Sequence, residues 1–213
     1  DCVRKAVNRA VDAGITVITT NADIEGTKRH WCVGADNAQG AHIAGRMMGL
    51  FLGGKGRIAV VSSAIASENN NFYVQLRENE FKRFVRETYP DIQIVTTIDS
   101  FEDPQLTYEK TAQLLRDYQD LQGLYITCGG VSQVGRALEE SGRAKDIRVI
   151  SYEDYPEVVE LIRKDVIDCT LAGEIQKQGE IPVQLIMDHL VFGKQPENDQ
   201  VFTEIKVIVK ESL

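Results

Sequence analysis

The stretch AGITVITTNAD occupies residues 13–23, and the stretch IRVISYED occupies residues 147–154. In each, a short run rich in β-branched residues follows a segment with helical spacing of its apolar side chains, and polar side chains stand where the run stops. Such runs, alternating with helices, are typical of buried parallel strands in βαβ units. Open parallel sheets bind small ligands beyond the carboxyl ends of their strands. We therefore predict an α/β protein with Asn21, Asp23, Glu153 and Asp154 at its ligand-binding edge.

The same alternation continues along the whole chain. Helices are predicted near residues 2–13, 37–52, 72–88, 104–119, 131–141, 156–164 and 175–192. Buried strands are predicted near residues 15–20, 30–33, 57–62, 92–98, 123–127, 147–152 and 166–172. Residues 201–209 alternate apolar with polar side chains, which predicts a single half-exposed strand.

Composition narrows the class of protein. The chain has 213 residues, of which 43% are hydrophobic, and this is enough for one large or two small cores. Its net charge of −8 argues against nucleic-acid binding by this segment, because phosphate recognition needs a positive field. No apolar run is long enough to span a bilayer, so we expect no membrane contact.

Motifs for catalysis or metal binding are scarce. The four cysteines have no CxxC spacing, and the three histidines are scattered. Residues 49–56 differ from a P-loop only at the last position, but they join a helix to a strand, which is the reverse of the order that a phosphate site needs. We read Gly53 and Gly54 as the end of a helix. No enzymatic activity, cofactor or metal site is expected.

The residues also carry a family resemblance. Residues 13–21, 33–37, 40–52 and 54–61 resemble the type I periplasmic-binding-protein fold, and the similarity extends through residue 213. Ribose-binding proteins and the effector domains of LacI/GalR-type transcriptional regulators share this fold. The resemblance implies two Rossmann-like lobes with parallel sheets, joined by a hinge of three crossings, with ligand held between them. It implies a partial N-terminal lobe from residues 1–54 and 174–197 and a C-terminal lobe from residues 55–173 and 198–213. Because members have three further strands ahead of the segment that matches Asp1, the N-terminal lobe is expected to be incomplete.

Ligand-binding residues follow from the resemblance, position by position. Asn21 matches an acceptor of sugar hydroxyls, and Glu153 matches an acid that binds two hydroxyls. The other positions are Gln75, where many members carry an arginine, Phe101, which matches an aromatic residue that stacks on a sugar ring, Cys128, which matches an asparagine, and Glu174, near a polar hinge residue. For three of these residues a structural role is the alternative to ligand binding: Gln75 could lie on a solvated helix face, Phe101 could pack in the core, and Cys128 could be a buried spacer.

The resemblance leaves two functions. The first is the ligand-sensing domain of a LacI-type regulator, which would be cytoplasmic, homodimeric and bound to operator DNA only through an upstream helix-turn-helix that is absent from this chain. The alternative is a solute-binding protein of a sugar ABC transporter or chemoreceptor, in the periplasm or outside the cell. Four cysteines without a pairing pattern favour the first, because oxidising compartments disfavour unpaired thiols. In both cases we expect a neutral or weakly cationic, polyhydroxylated ligand such as a sugar or polyol.

Overall fold

The computed structural model describes residues 2–63, 72–100 and 103–213. The chain forms two compact units. The first consists of Asp1–Asp36 and Gly173–Lys206, and the second of Asn37–Ala172 and Val207–Leu213. The polypeptide therefore passes between the units three times, as the resemblance implies.

Helices and strands alternate along the described residues. The helices are α1 (Cys2–Asp12), α2 (Asn37–Phe51), α3 (Phe72–Thr88), α4 (Pro104–Asp117), α5 (Val131–Glu140), α6 (Pro156–Arg163) and α7 (Ile175–Phe192). The strands are β1 (Ile18–Thr20), β2 (Trp31–Ala35), β3 (Lys55–Ser62), β4 (Asp91–Asp99), β5 (Gly123–Ile126), β6 (Arg148–Tyr152), β7 (Cys169–Gly173), β8 (Gln200–Thr203) and β9 (Ile205–Ile208). A short 3-10 helix, Lys210–Ser212, follows β9.

Local chemistry explains where the helices begin and end. The Asp103 side chain accepts a hydrogen bond of 2.7 Å from the Leu106 amide, so it caps α4 at its first turn. At the end of α2, Gly53 and Gly54 have φ angles of 62° and 81°, and the Gly54 amide donates to the Gly49 carbonyl at 2.8 Å. Left-handed glycines of this kind end helices, so the interpretation of this segment as a helix terminus is confirmed.

The first unit contains a three-stranded parallel sheet in the order β1-β2-β8. Its central strand is buried, and Trp31 at the start of that strand packs edge-on against His189 of α7, with ring centres 5.2 Å apart. Much of the apolar surface of α7 is exposed nonetheless: Val183, Leu190 and Phe192 are 63%, 66% and 64% exposed. None of the described residues of α1 is buried. This unit therefore has a thin core.

The second unit contains a six-stranded sheet in the order β4-β3-β5-β6-β7-β9. Neighbouring strands from β4 to β7 pair in parallel, with one register shift between Ile58 and Ala59 of β3. Strands β5 and β6 are buried almost throughout, as is typical of the central strands of a parallel sheet. Tyr125 of β5 stacks on Phe81 of α3 with ring centres 4.0 Å apart. The carboxyl ends of these five parallel strands therefore lie along one edge of the sheet.

Two features differ from the sequence-based expectations. Residues 201–209 do not form one strand: β8 ends at Thr203 in the first sheet, and β9 begins at Ile205 in the second, so the prediction of a single strand is wrong. The first unit boundary lies at Asp36, before α2, whereas the sequence placed it at residue 54. Helix α2 belongs to the second unit because Gly45 and Gly49 bring it against the aromatic rings of α3 and its following loop.

Candidate functional site

Glu153 follows β6 at the carboxyl edge of the second sheet. Its backbone has φ of 69°, a left-handed conformation that costs free energy for any residue other than glycine. Strand β7 holds it there: the Glu153 amide donates to the Leu171 carbonyl at 2.8 Å, and its carbonyl accepts from the Thr170 hydroxyl at 2.7 Å. Backbone strain that neighbouring structure maintains is concentrated at functional sites. Glu153 therefore stays a candidate for ligand binding.

Arg77 of α3 faces this carboxylate. One terminal nitrogen of the guanidinium lies 3.7 Å from Glu153 Oε1, which is an ion pair too long to be a hydrogen bond. The side chains of Arg77 and Glu153 are 16% and 28% exposed. The arginine therefore compensates the charge of Glu153 but leaves its oxygens able to accept hydrogen bonds from a ligand.

The surroundings shift the titration of Glu153. Burial raises the pKa of its carboxyl group, the positive charge of Arg77 opposes this, and the neighbouring Asp154 adds to it. The net pKa lies above the usual range for glutamate. Perturbed acids of this kind are typical of binding and catalytic sites, although ion pairs with a structural role shift pKa values too.

Two other candidates lie at the same edge of the second unit. Cys128 follows β5, is 8% exposed, and its Sγ lies 3.4 Å from the Ser100 hydroxyl. Val74 of α3 packs against Cys128, and Gln75 is the next residue of that helix. Gln75, Cys128 and Glu153 all belong to the second unit, and their shared role in binding stays a prediction. Phe101 lies outside the described residues.

Asn21 and Glu174 lie in the first unit. Asn21 follows β1, is exposed, and has φ of 62°, with its amide bonded to the Val33 carbonyl at 2.8 Å. Glu174 precedes α7, and its carboxylate lies 3.0 Å from Lys177 Nζ and 3.4 Å from Lys206 Nζ. The hydrogen bond from Lys177, together with Lys206, holds the pKa of Glu174 below its usual range despite partial desolvation. Two lysines therefore already form ion pairs with this carboxylate.

The sequence reasoning missed a polar network at the strand ends of the first unit. The Thr20 hydroxyl donates to the Gln178 carbonyl at 2.8 Å, and the Gln178 amide lies 3.3 Å from the Thr203 hydroxyl. A side chain at Gly173 would place its Cβ 2.9 Å from the Gln178 amide nitrogen. In the sequence, the only sign of this network was Gly173 itself, because a glycine at the end of a strand often marks the close approach of another group.

The described residues include neither a cluster suited to a metal ion nor a helix suited to cross a membrane. There, no group of three or more His, Cys, Asp or Glu side chains is placed to hold a metal ion. No helix in those same ranges combines the length and hydropathy that a membrane span requires.

Several solved structures that are similar to this chain are sugar-binding proteins. GanP, a glucose-galactose binding protein from Geobacillus stearothermophilus, is 26% identical with a TM-score of 0.86, over 99% of this chain and 73% of that one. A sugar-binding protein of a sugar ABC transporter from Bacillus halodurans is 25% identical with a TM-score of 0.89, over 98% and 73%. AraP, an arabinose binding protein from Geobacillus stearothermophilus, shares the fold at 24% identity and a TM-score of 0.84, over 97% and 72%.

The comparisons confirm the predicted fold and its superfamily. A comparison with curated protein sequences finds none that matches. The relatives above are binding proteins rather than enzymes, in keeping with the expectation of no catalytic activity. Residues 1–195 match the family described as periplasmic binding protein domain. Because this match covers more than half of the sequence, the chain belongs to the periplasmic binding protein domain family.

Proposed function

We propose that this chain is the ligand-binding body of a sugar solute-binding protein, serving an ABC transporter or a chemoreceptor. The observation that carries the proposal is Glu153, a half-buried carboxylate held by a left-handed backbone at a strand end, whose ion pair with Arg77 is too long for a hydrogen bond. Similarity to sugar-binding proteins of at least 25% identity supports the transport role more than the regulator role. It likewise supports a periplasmic or extracellular location over a cytoplasmic one.

The side chains suit a neutral sugar. A carboxylate accepts hydrogen bonds from several hydroxyls, and the amides of Asn21 and Gln75 both donate and accept. Anionic ligands are usually bound by an arginine whose guanidinium N–H groups are free to donate two hydrogen bonds to them. Arg77 is already engaged with Glu153 and with neutral partners. A sugar without a phosphate or carboxylate group therefore fits these residues best.

The effector domain of a regulator is the second candidate. One observation favours it: in the described part of the chain the four cysteines form no disulfide, and three of them are buried. Oxidising compartments disfavour such thiols. The sequence of the full-length protein distinguishes the two functions, because a helix-turn-helix would indicate the regulator and a signal peptide would indicate the transport receptor.

Isothermal titration calorimetry tests the binding proposal. Wild-type protein is titrated with glucose, galactose, arabinose and ribose and with the corresponding sugar phosphates. The isosteric Glu153→Gln substitution should weaken sugar binding by about 10- to 100-fold, since a hydrogen bond to a charged group contributes roughly 1.5–3 kcal/mol. Glu157→Gln, an exposed acid in the first turn of α6, is the matched control and should bind like wild type. Tight binding of a sugar phosphate that persists in Glu153→Gln would refute the proposal.

A further inference from the structure

Gln178 is a buried polar residue in the first turn of α7, and only 5% of it is exposed. Its Nε2 donates to the hydroxyl of Thr203, the last residue of β8, at 3.3 Å. Its backbone carbonyl accepts a hydrogen bond of 2.8 Å from the hydroxyl of Thr20, the last residue of β1. Gln178 therefore connects α7 to the carboxyl ends of two strands of the first sheet.

The chain passes to the second unit from three short segments that lie beside this residue. We call residues 33–36, 173–176 and 203–206 the exit segments, because each ends or begins at a boundary of the first unit. Gln178 bonds to the third segment through Thr203, which pairs in the sheet with Ala35 of the first. A Cβ added to Gly173, in the second, would lie 2.9 Å from Gln178 Nε2 and 3.4 Å from the Cβ of Ala35. The Gln178 amide and the exit segments therefore form one packed group.

An ion pair also connects the second and third exit segments. The carboxylate of Glu174 lies 3.4 Å from Nζ of Lys206, whose side chain is 61% exposed. Salt screens ion pairs of exposed side chains, and such pairs contribute little to stability. The buried contacts of Gln178 should therefore determine how firmly these segments are held.

We infer that Gln178 is a positioning residue of the hinge: it holds the three exit segments together, so that they leave the first unit in fixed directions. Gly173 provides the space for its amide, since a side chain there would displace it. The proposed ligand residues include Asn21 in the first unit and Glu153 in the second. Loosened exit segments would have to be ordered when one sugar binds both, which lowers affinity. This consequence for affinity rests on the proposed function, whereas the order of the exit segments does not.

The first experiment needs no ligand. Hydrogen exchange followed by mass spectrometry compares the wild-type chain with Gln178→Leu, which removes the amide but keeps most of the volume. Amides of the exit segments should exchange about tenfold faster, as expected for the loss of one buried hydrogen bond. Strand β5 should exchange as in wild type. Gln176→Leu is the matched control, because Gln176 is an exposed glutamine of the same turn that bonds to Glu180 within α7.

Substitution of Thr203 distinguishes the hydrogen bond from packing. Thr203→Val removes the acceptor of Gln178 Nε2 and keeps the volume, so it should speed exchange in the exit segments as Gln178→Leu does. Thr203→Ser keeps the hydroxyl and should exchange like wild type. Packing alone predicts the reverse order, because serine loses a methyl group and valine does not. These variants also test the inference if Gln178→Leu does not fold.

Gly173→Ala tests whether the amide needs the space beside it. The added Cβ should displace Gln178 Nε2 and speed exchange in the exit segments. In a Gln178→Ala background the same substitution should have almost no further effect, because neighbours that compete for one space are not additive. Additive effects of the two substitutions would show that they do not compete.

Titration calorimetry with glucose, galactose, arabinose and ribose completes the test. The affinity for the sugar that wild type binds should fall about tenfold in Gln178→Leu and in Gly173→Ala, and it should be unchanged in Gln176→Leu. A wild-type chain that binds none of these sugars contradicts the proposed function, and the exchange rates still decide the role of Gln178. Equal exchange of the exit segments in wild type, Gln178→Leu and Thr203→Val would overturn that role.

Discussion

Arg29 binds both carboxylate oxygens of Asp23 in the first unit. Its Nε donates to Oδ1 at 2.6 Å, and a terminal nitrogen contacts Oδ2. The side chains of Arg29 and Asp23 are only 8% and 14% exposed. The Thr19 hydroxyl and the Ile24 amide also donate to Oδ1, at 3.0 and 2.9 Å. This pair therefore fixes the loop after β1, which begins with Asn21.

Arg29→Met should destabilise the first unit. It removes one partner of a largely buried ion pair and leaves Asp23 without its bidentate donor, a change that typically costs about 3–5 kcal/mol. Urea unfolding followed by Trp31 fluorescence measures the effect, because Trp31 is the single tryptophan and lies in β2.

Lys28→Met provides the control for this prediction. Lys28 and Asp12 form an ion pair of 2.6 Å whose side chains are 57% and 58% exposed. Exposed pairs contribute about 0–1 kcal/mol, so the unfolding midpoint should barely change. Equal losses in Arg29→Met and Lys28→Met would show that burial does not distinguish the two pairs.

The Asp23–Arg29 pair should also confer acid sensitivity. Burial favours the neutral acid, but hydrogen bonds from Arg29 and the Ile24 amide outweigh it and hold the pKa of Asp23 below its usual range. Since the folded pKa lies below the unfolded value of about 3.9, the stabilisation is complete above that pH and is lost as the pH falls through the folded pKa. Urea midpoints between pH 7 and pH 3 should show the difference between wild type and Arg29→Met shrinking below about pH 4. A constant difference over this range contradicts the assignment.

Gly49→Ala should destabilise the second unit. An added Cβ would lie 2.1 Å from Cζ of Tyr89, so the ring would have to move and lose its hydrogen bond of 2.8 Å from Arg46. Overpacking of this kind costs about 1–3 kcal/mol. Thermal unfolding followed by circular dichroism measures the loss.

Gly179→Ala is the matched control within a helix. Gly179 lies exposed in α7, and an added Cβ would meet nothing within 4 Å. Alanine should therefore stabilise this helix by about 0.5–1 kcal/mol. The two glycine substitutions are therefore expected to change stability in opposite directions. Destabilisation by Gly179→Ala would contradict the expectation that helix propensity determines the effect at that position.

The cysteines should differ in their rates of alkylation according to the exposure and the pKa of each thiol. Burial, with a contribution from Asp168, raises the pKa of Cys169 to about 12, so its thiolate is scarce at neutral pH. Exposed Cys2 should react with iodoacetamide first, and Cys169 only on unfolding. Cys128, 8% exposed at the candidate edge, should react at an intermediate rate that bound sugar reduces. Peptide mass spectrometry measures each rate, and labelling of Cys128 that sugar does not slow would argue against its place at the site.

Much of the fold followed from local patterns in the sequence. Helices α3 and α7 have the bounds that apolar periodicity predicted, 72–88 and 175–192, and Glu153 follows a buried strand as its sequence indicated. These features depend on residues within a few positions of each other, since the side-chain period determines which face is buried. The place of Asn21 after β1 is predictable on the same grounds.

The tertiary structure decided what joins residues that are distant in the sequence. Arg77 and Glu153 are separated by 76 positions and meet only because α3 packs against the sheet edge, a contact that no local pattern encodes. The left-handed backbone of Glu153 depends on bonds to β7. Residues 201–209 have one continuous alternation in sequence, yet β8 pairs with β2 and β9 lies beside β7. Alternation specifies that a segment is extended and half-buried, whereas the sheet it joins depends on which strand edges the rest of the fold leaves available.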